Sequence, residues 1–308
     1  MRTAYICTAV AVSAISAIVP SPAFSAQAPF DTASIEKATG LKGAYVEQEG
    51  VFKIAFPRND VKVAVDGLPM LPFMGLTSTA FFKRGHGSNV MMMGDTVLMQ
   101  DEVNPVMSVA LDSGLEVTAL HNHFFFDEPK VYFMHIGGEG EAAKLGAAVK
   151  RVYDKIREIR ASSSEPATRF TGKRVSQQNA ITAAPLQQIF GLKGDTTDGM
   201  FKVVFGRTAH MHGIEVGKEM GVNTWAAFAG TDDQAVVDGD FAMLENELQG
   251  VLKAMRKAGI NIVSIHHHMT REEPRYIFLH YWGEGKSQEL ARSIKQVIDT
   301  QTKTAAKQ

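Results

Sequence analysis

The sequence predicts an α+β fold of two tandem repeats, each an antiparallel sheet with helices packed on it, the two related by a pseudo-two-fold axis. Three observations lead there. First, one stretch is written twice. His121-Asn122-His123, Glu128-Pro129-Lys130, Phe133-Met134-His135 and Gly138-Glu139-Gly140 recur as His266-His267-His268, Glu273-Pro274-Arg275, Phe278-Leu279-His280 and Gly283-Glu284-Gly285, at an unchanging offset of 145 residues. Second, segments alternating with period two and segments with helical spacing follow in the same order in both halves, the pattern of an α+β unit. Third, smaller echoes fill the intervals: Gly40-Leu41-Lys42-Gly43 with Gly191-Leu192-Lys193-Gly194, Phe52-Lys53 with Phe201-Lys202, Met74-Gly75 with Met220-Gly221, and Gly94-Asp95 with Gly239-Asp240. Two copies are too few for a solenoid. They are expected to pair face to face, as the subunits of a symmetric dimer do.

The chain of 308 residues is long enough for two cores of ordinary size. Its 45% hydrophobic and 21% charged residues are those of a folded, water-soluble protein. A net charge of −1 argues against nucleic acid as a partner. Residues 1–26 read as a secretory signal peptide: Arg2, then the apolar run Ala4 to Val19, then a break at Ser21-Pro22 and small residues for cleavage. The run is too short for a membrane span. A periplasmic or secreted location follows. Cys7 is the only cysteine and leaves with the signal, so disulfides and thiolate ligands are excluded from the mature chain.

Repeat 1 occupies 27–160. Thr32 to Thr39 is a short helix stopped by Gly40. Val51 to Phe56, Val61 to Val65, Met74 to Lys83 and Asn89 to Met99 are strands, the last two joined through the turn residues Arg84 to Ser88. Asn104 to Ser113 is a helix, with Pro105 in its first turn and Gly114 after it. Leu115 to His123 and Lys130 to Ile136 form a hairpin. Glu141 to Arg160 is an amphipathic helix carrying Leu145, Val149, Val152, Tyr153 and Ile156 on one side. Residues 161–184 are polar and weakly patterned, a linker. Repeat 2 occupies 185–301, with helices at Glu245 to Ala258 and Gln288 to Thr300 and a hairpin of Asn261 to His268 with Arg275 to Tyr281. Residues 302–308 are a tail.

The hairpins carry the chemistry. Strand side chains alternate faces, so His121 and His123 share one. If residue 121 pairs with 133, then 119 pairs with 135, and His135 joins them. A slip of one residue would send it to the other face. Glu128 stands at the hairpin end, where it is expected to lean back toward His123. The same reasoning groups His266, His268, His280 and Glu273 and turns His267 away. A lone strand histidine is ordinarily a half-buried, hydrogen-bonded residue. Six at matching positions beside two glutamates instead suit a divalent transition metal (Zn, Cu, Mn, Ni or Fe). Glu128 and Glu273 are the candidate general bases, and Lys130 and Arg275 the candidate contacts to a small-molecule or anionic ligand. His210-Met211-His212 is an accessory pair without a counterpart in repeat 1. Met91-Met92-Met93 reads as core filler or as a soft surface for copper. His86 is a turn residue, and Trp225 and Trp282 are packing residues.

Three blocks carry a family resemblance: Asn223-Thr224-Trp225-Ala226-Ala227-Phe228, Val237-Asp238-Gly239-Asp240-Phe241, and the run from His266 through Glu273-Pro274-Arg275 to Phe278-Leu279-His280-Tyr281-Trp282-Gly283. Together they resemble the LppY/LpqO family, a bacterial, duplicated domain of unknown function. The resemblance spans nearly the whole mature chain and implies an exported two-repeat protein. It supplies no activity and no catalytic residues. The chain departs from that family's lipoproteins in having no usable lipidation cysteine. The histidine motif is also similar to the first metal motif of cupins, with His135 and His280 where cupins have glycine and with the second cupin motif missing. The expected function is therefore an exported protein with duplicated histidine- and glutamate-rich metal sites. The alternatives are a metal-assisted hydrolase or phosphoesterase and a periplasmic copper or zinc carrier.

Overall fold

The structure is a computed structural model that describes residues 30–170 and 175–305. The signal segment 1–26 lies outside the described residues. The first half runs α1 (Thr32–Thr39), β1 (Gly43–Val46), β2 (Val51–Pro57), β3 (Val63–Val65), β4 (Leu68–Met70), β5 (Thr77–Arg84), β6 (Val90–Met99), α2 (Val103–Asp112), β7 (Glu116–His121), β8 (Asp127–Glu128), β9 (Val131–Gly140) and α3 (Ala142–Ser162). The second half repeats that order: α4 (Ala183–Phe190), β10 (Asp195–Thr197), β11 (Met200–Gly206), β12 (Ala209–Met211), β13 (Ile214–Val216), β14 (Asn223–Gly230), β15 (Ala235–Leu244), α5 (Leu248–Lys257), β16 (Asn261–His266), β17 (Glu272–Glu273), β18 (Tyr276–Gly285) and α6 (Ser287–Ala305). Asp31 caps α1 by accepting the Ser34 N–H at 3.0 Å, and Gly40 ends it in the left-handed conformation.

Twelve strands form one antiparallel sheet in the order β1-β2-β5-β6-β9-β7-β16-β18-β15-β14-β11-β10. The expected face-to-face pairing of the repeats is corrected here. They meet edge to edge, with Leu120 of β7 opposite Ile265 of β16. Each half alone would leave that strand's N–H and C=O groups unpaired, and joining them removes two sheet edges at once. Two side-chain amides complete the seam. Asn104 bonds both the N–H and the C=O of Ile262, at 2.8 and 3.0 Å. Gln249 does the same for Val117, at 3.1 and 2.9 Å.

The helices cover one face of this sheet. The core between them is continuous across the seam, joining Val117 and Leu120 to Ile262 and Ile265, with Met107 of α2 and Val251 of α5. Val117 and Leu120 are three residues apart yet share this face, because β7 is irregular between Val117 and Ala119; β16 is irregular at the matching place, between Ile262 and Ser264. Two three-stranded sheets, β4-β3-β8 and β13-β12-β17, lie on the other face. Each has its own small core, Val63, Val97, Val131 and Phe133 in the first half and Ala209, Val216, Tyr276 and Phe278 in the second.

Several expected boundaries move. The return strands β9 and β18 run on through the Gly-Glu-Gly segments, because the long strands β6 and β15 supply ladder partners that far, as Met91 opposite Glu139 and Val236 opposite Glu284. The strand expected from Met74 starts at Thr77, after a 3-10 turn over Pro72–Met74. The helix α3 takes two residues from the expected linker, α4 starts at Ala183, and α6 continues four residues into the expected tail. Among the described residues no helix is long and apolar enough to cross a membrane.

Candidate metal centre

The histidines gather on the sheet face away from the helices. His121 pairs with Phe133 and Ala119 with His135, the register the motif spacing predicts; His266 pairs with Phe278 and Ser264 with His280. Both halves then build the same stack of rings. His123 lies flat on Phe133 with centroids 3.3 Å apart, and His268 lies on Phe278 at 3.6 Å. His121 and His266 each stack 5.1 Å from the next histidine of their own motif.

The halves differ in what the rings meet. In the second, single ligand atoms of Asp240, His266 and His268 all lie within 4.8 Å of one another, the only such histidine and carboxylate cluster among the described residues. The His268 Nε2 is 3.1 Å from the Asp240 Oδ2. Asp240 Oδ1 and His266 Nε2 are buried without a hydrogen-bond partner. Burial, with His280 and His268 adding to it, holds the His266 imidazole down to about 4, so its nitrogen is neutral and free to ligate at pH 7. Burial pushes the Asp240 carboxyl up, against the pull of His268 and His280. His280 stands just behind, its ring 4.8 Å from that of His266. Its Nδ1 is 3.3 Å from the Gly239 carbonyl, a contact that places the proton on Nδ1 and leaves Nε2 as the free donor atom. His267 turns away as expected, its Nδ1 3.2 Å from the Tyr276 carbonyl.

In the first half, the His121 and His135 Nε2 atoms stand 3.0 Å apart. Asp95 is half-buried opposite His135, with its Oδ1 unpartnered. Burial, then the neighbouring His121, lowers the His123 imidazole.

The acid at the centre is not the expected glutamate. Glu128 and Glu273 are exposed, on two-residue strands whose partners are Ala64 and His210. Their neighbours Asp127 and Glu272 turn inward instead and accept the N–H groups of Val131 and Tyr276, closing the hairpins. Asp240 arrives from β15, on the far side of β18, where it pairs with His280. The signal for it was present in the echo of Gly94-Asp95 in Gly239-Asp240. The glycine has a structural reason: a Cβ at Gly239 would stand 2.1 Å from the Tyr281 ring.

The expected anion contacts, Lys130 and Arg275, lie outside the pocket beside the cluster. Lys130 is held 3.0 Å from Asp127, and Arg275 is exposed on the hairpin turn. Lys202 of β11 and Lys218 of a 3-10 turn line a pocket of about 500 Å³ with Asp240, His268 and Trp225. His210 faces Glu215 and Glu273 across β12, outside the cluster of Asp240, His266 and His268, and His212 sits in the following turn. His86 is indeed in a turn, paired with Glu139 at 3.1 Å. Met92 is buried, whereas Met91 and Met93 are 43% and 60% exposed on the Asp95 side of β6. A larger cleft of about 1260 Å³ runs between the halves and reaches His280 and Trp282.

The family described as Domain of Unknown Function (DUF1259) matches residues 33–155 and again 184–300. No curated protein matches the chain. Two solved structures are similar at a low level. One is the double ringed trimeric shell protein MSM0271 from the RMM microcompartment, 12% identical, over 71% of this chain and 86% of that one, with a TM-score of 0.19. The other is the trimeric bacterial microcompartment shell protein PduB, 10% identical, over 86% of this chain and 92% of that one, with a TM-score of 0.19. Scores of that size carry no argument about fold or function.

Proposed function

We propose that this chain, which belongs to the family of the Domain of Unknown Function (DUF1259) and carries its domain twice, binds a divalent transition metal through Asp240, His266 and His268. The supporting observation is their convergence within 4.8 Å, with a carboxylate oxygen and an imidazole nitrogen both buried and unpartnered. Buried polar atoms of that kind are costly unless something satisfies them. Two imidazoles and one carboxylate with an open side suit non-haem iron, and also zinc. Manganese, nickel and copper remain in the set to be tested. His280 is the reserve donor. His121, His123, His135 and Asp95 are the matching set in the first repeat. The two sets are related by a pseudo-two-fold axis between β7 and β16, a reading supported by the antiparallel pairing of Leu120 with Ile265, one repeat length further on. Export to the periplasm or medium and kinship with the LppY/LpqO proteins belong to the same proposal.

The test is elemental analysis of protein purified without a His tag, followed by titration with Zn, Cu, Mn, Ni and Fe. About one tightly held ion per chain is expected. No bound metal and no uptake of any of the five ends the reading.

A second reading rests on the exposed Met91 and Met93, which share a strand face with Asp95: the first repeat is a copper carrier. Cu(I) affinity that falls when both become leucine supports it. The hydrolase reading rests on the two lysines beside the metal ligands. It requires turnover of phosphate or carboxylate esters that a chelator abolishes.

A further inference from the structure

We infer that the pocket beside Asp240 and His268 binds a small oxyanion, a carboxylate or phosphate group, held between the metal and the ammonium groups of Lys202 and Lys218. The inference rests on the metal reading and adds the class of ligand.

The pocket has the size of a small-molecule site, about 500 Å³, and His268 and Asp240 form part of its wall while His266 does not. A metal among the three ligand atoms is therefore open to solvent on the side of His268 and Asp240. Two lysines line that same pocket. Lys202 is held by its Nζ over the Trp225 ring, 4.2 Å from the centroid. Lys218 lies on the 3-10 turn Lys218–Met220, which Asn223 anchors by donating to the Lys218 carbonyl at 2.7 Å. A divalent cation and two ammonium groups around one small cavity select a ligand with anionic oxygens.

Three carboxylates share the pocket wall. Asp240 would face the metal, Glu219 lies 3.5 Å from the Lys218 Nζ, and Asp195 stands opposite Lys202 across β10 and β11. Both outer acids are exposed, so water screens them from the cavity, and a divalent cation beside Asp240 tips the balance toward an anion.

The first repeat lacks the same wall. Its 3-10 turn Pro72–Met74 has Pro72 and Phe73 at the places of Lys218 and Glu219. Opposite Asp95 stands Thr79, where Trp225 stands opposite Asp240. Lys53 alone recurs, near Phe81. The oxyanion site is thus one per chain.

The experiment titrates inorganic phosphate, and separately acetate, into the full chain loaded with Co(II). The visible absorption of the cobalt is followed, and equilibrium dialysis of labelled phosphate is run on metal-free protein. Either probe is expected to shift the cobalt spectrum at one equivalent per chain, and the arm that binds more tightly distinguishes phosphate from carboxylate. Lys202→Met with Lys218→Met is expected to weaken the anion by at least about tenfold, the effect of losing a charged hydrogen bond, with Co(II) uptake unchanged. Anion affinity that is indifferent to both lysines overturns the inference, as does the absence of any anion binding to protein that holds cobalt. Should cobalt not bind, the titration with the five metals decides the metal reading separately, and the dialysis decides the pocket: lysine-dependent phosphate binding keeps it as an oxyanion site, and no binding removes it. The single variants, with circular dichroism matching the parent, replace the double variant if that one misfolds.

Discussion

Asp240 reaches the cluster because β15 lies next to β18 and presents it opposite His280, whereas Glu273 sits on a short outer strand in contact with solvent. The two acids make opposite predictions. Asp240→Asn, which removes the anionic ligand and keeps the shape, is expected to weaken metal binding by more than the roughly 10–100-fold that loss of a ligand's supporting partner costs. Glu273→Gln is expected to leave it unchanged. Competition with a chromogenic chelator measures both, and equal losses would remove Asp240 from the ligand set. At this scale the histidines were legible, since alternation and hairpin pairing are local rules that fix the face of His121, His135, His266 and His280. The acid was not, because its place depends on which strand lies next to β18, and that is set by long-range pairing. The lysines of the pocket were not legible for the same reason. Lys202 is 66 residues away from His268 in the chain and shares a pocket with it only once the sheet is assembled.

The elements were legible as a list and less so as an arrangement. Strand and helix types follow from period and turn chemistry, but ends such as those of β9 and β18 depend on whether a neighbour continues to offer hydrogen bonds. The seam shows this most clearly. β7 and β16 overlap around Leu120 and Ile265, and beyond that the amides of Asn104 and Gln249 take the place of a backbone partner. Gln249→Ala leaves the Val117 N–H and C=O without partners in a half-buried place. A loss of about 2 kcal/mol is expected, from about 1–3 kcal/mol for each stranded polar group less what water recovers. The shift in the urea midpoint at constant slope reads it. Asn104→Ala is expected to cost a similar amount at Ile262. A change within experimental error in both would mean that the amides decorate the seam without holding it.

For the whole molecule, one sheet and one helix-side core run through both repeats, so neither half can lose its structure without exposing the other's apolar surface at the seam. A single unfolding transition is expected despite the two repeats. Both tryptophans, Trp225 and Trp282, lie in the second repeat, so their fluorescence reports that half while far-ultraviolet circular dichroism reports both. The two curves are expected to coincide in urea. A separate fluorescence transition would mean that the halves unfold independently. Duplication and α+β class were readable from the spacing of 145 residues. Edge-to-edge union was not, because no side-chain pattern distinguishes a strand covered by a neighbour in its own chain from one left at a margin.

The two outermost strands have a bearing on behaviour in crowded solution. The margin at β1 is four residues long, and the margin at β10 only three, all of them exposed. An open sheet of twelve strands is in principle an invitation to neighbours, since each margin is a template on which another molecule can add its own backbone. Margins this short offer few peptide groups to such a visitor, which makes both ends of the sheet poor templates for growth by strand addition.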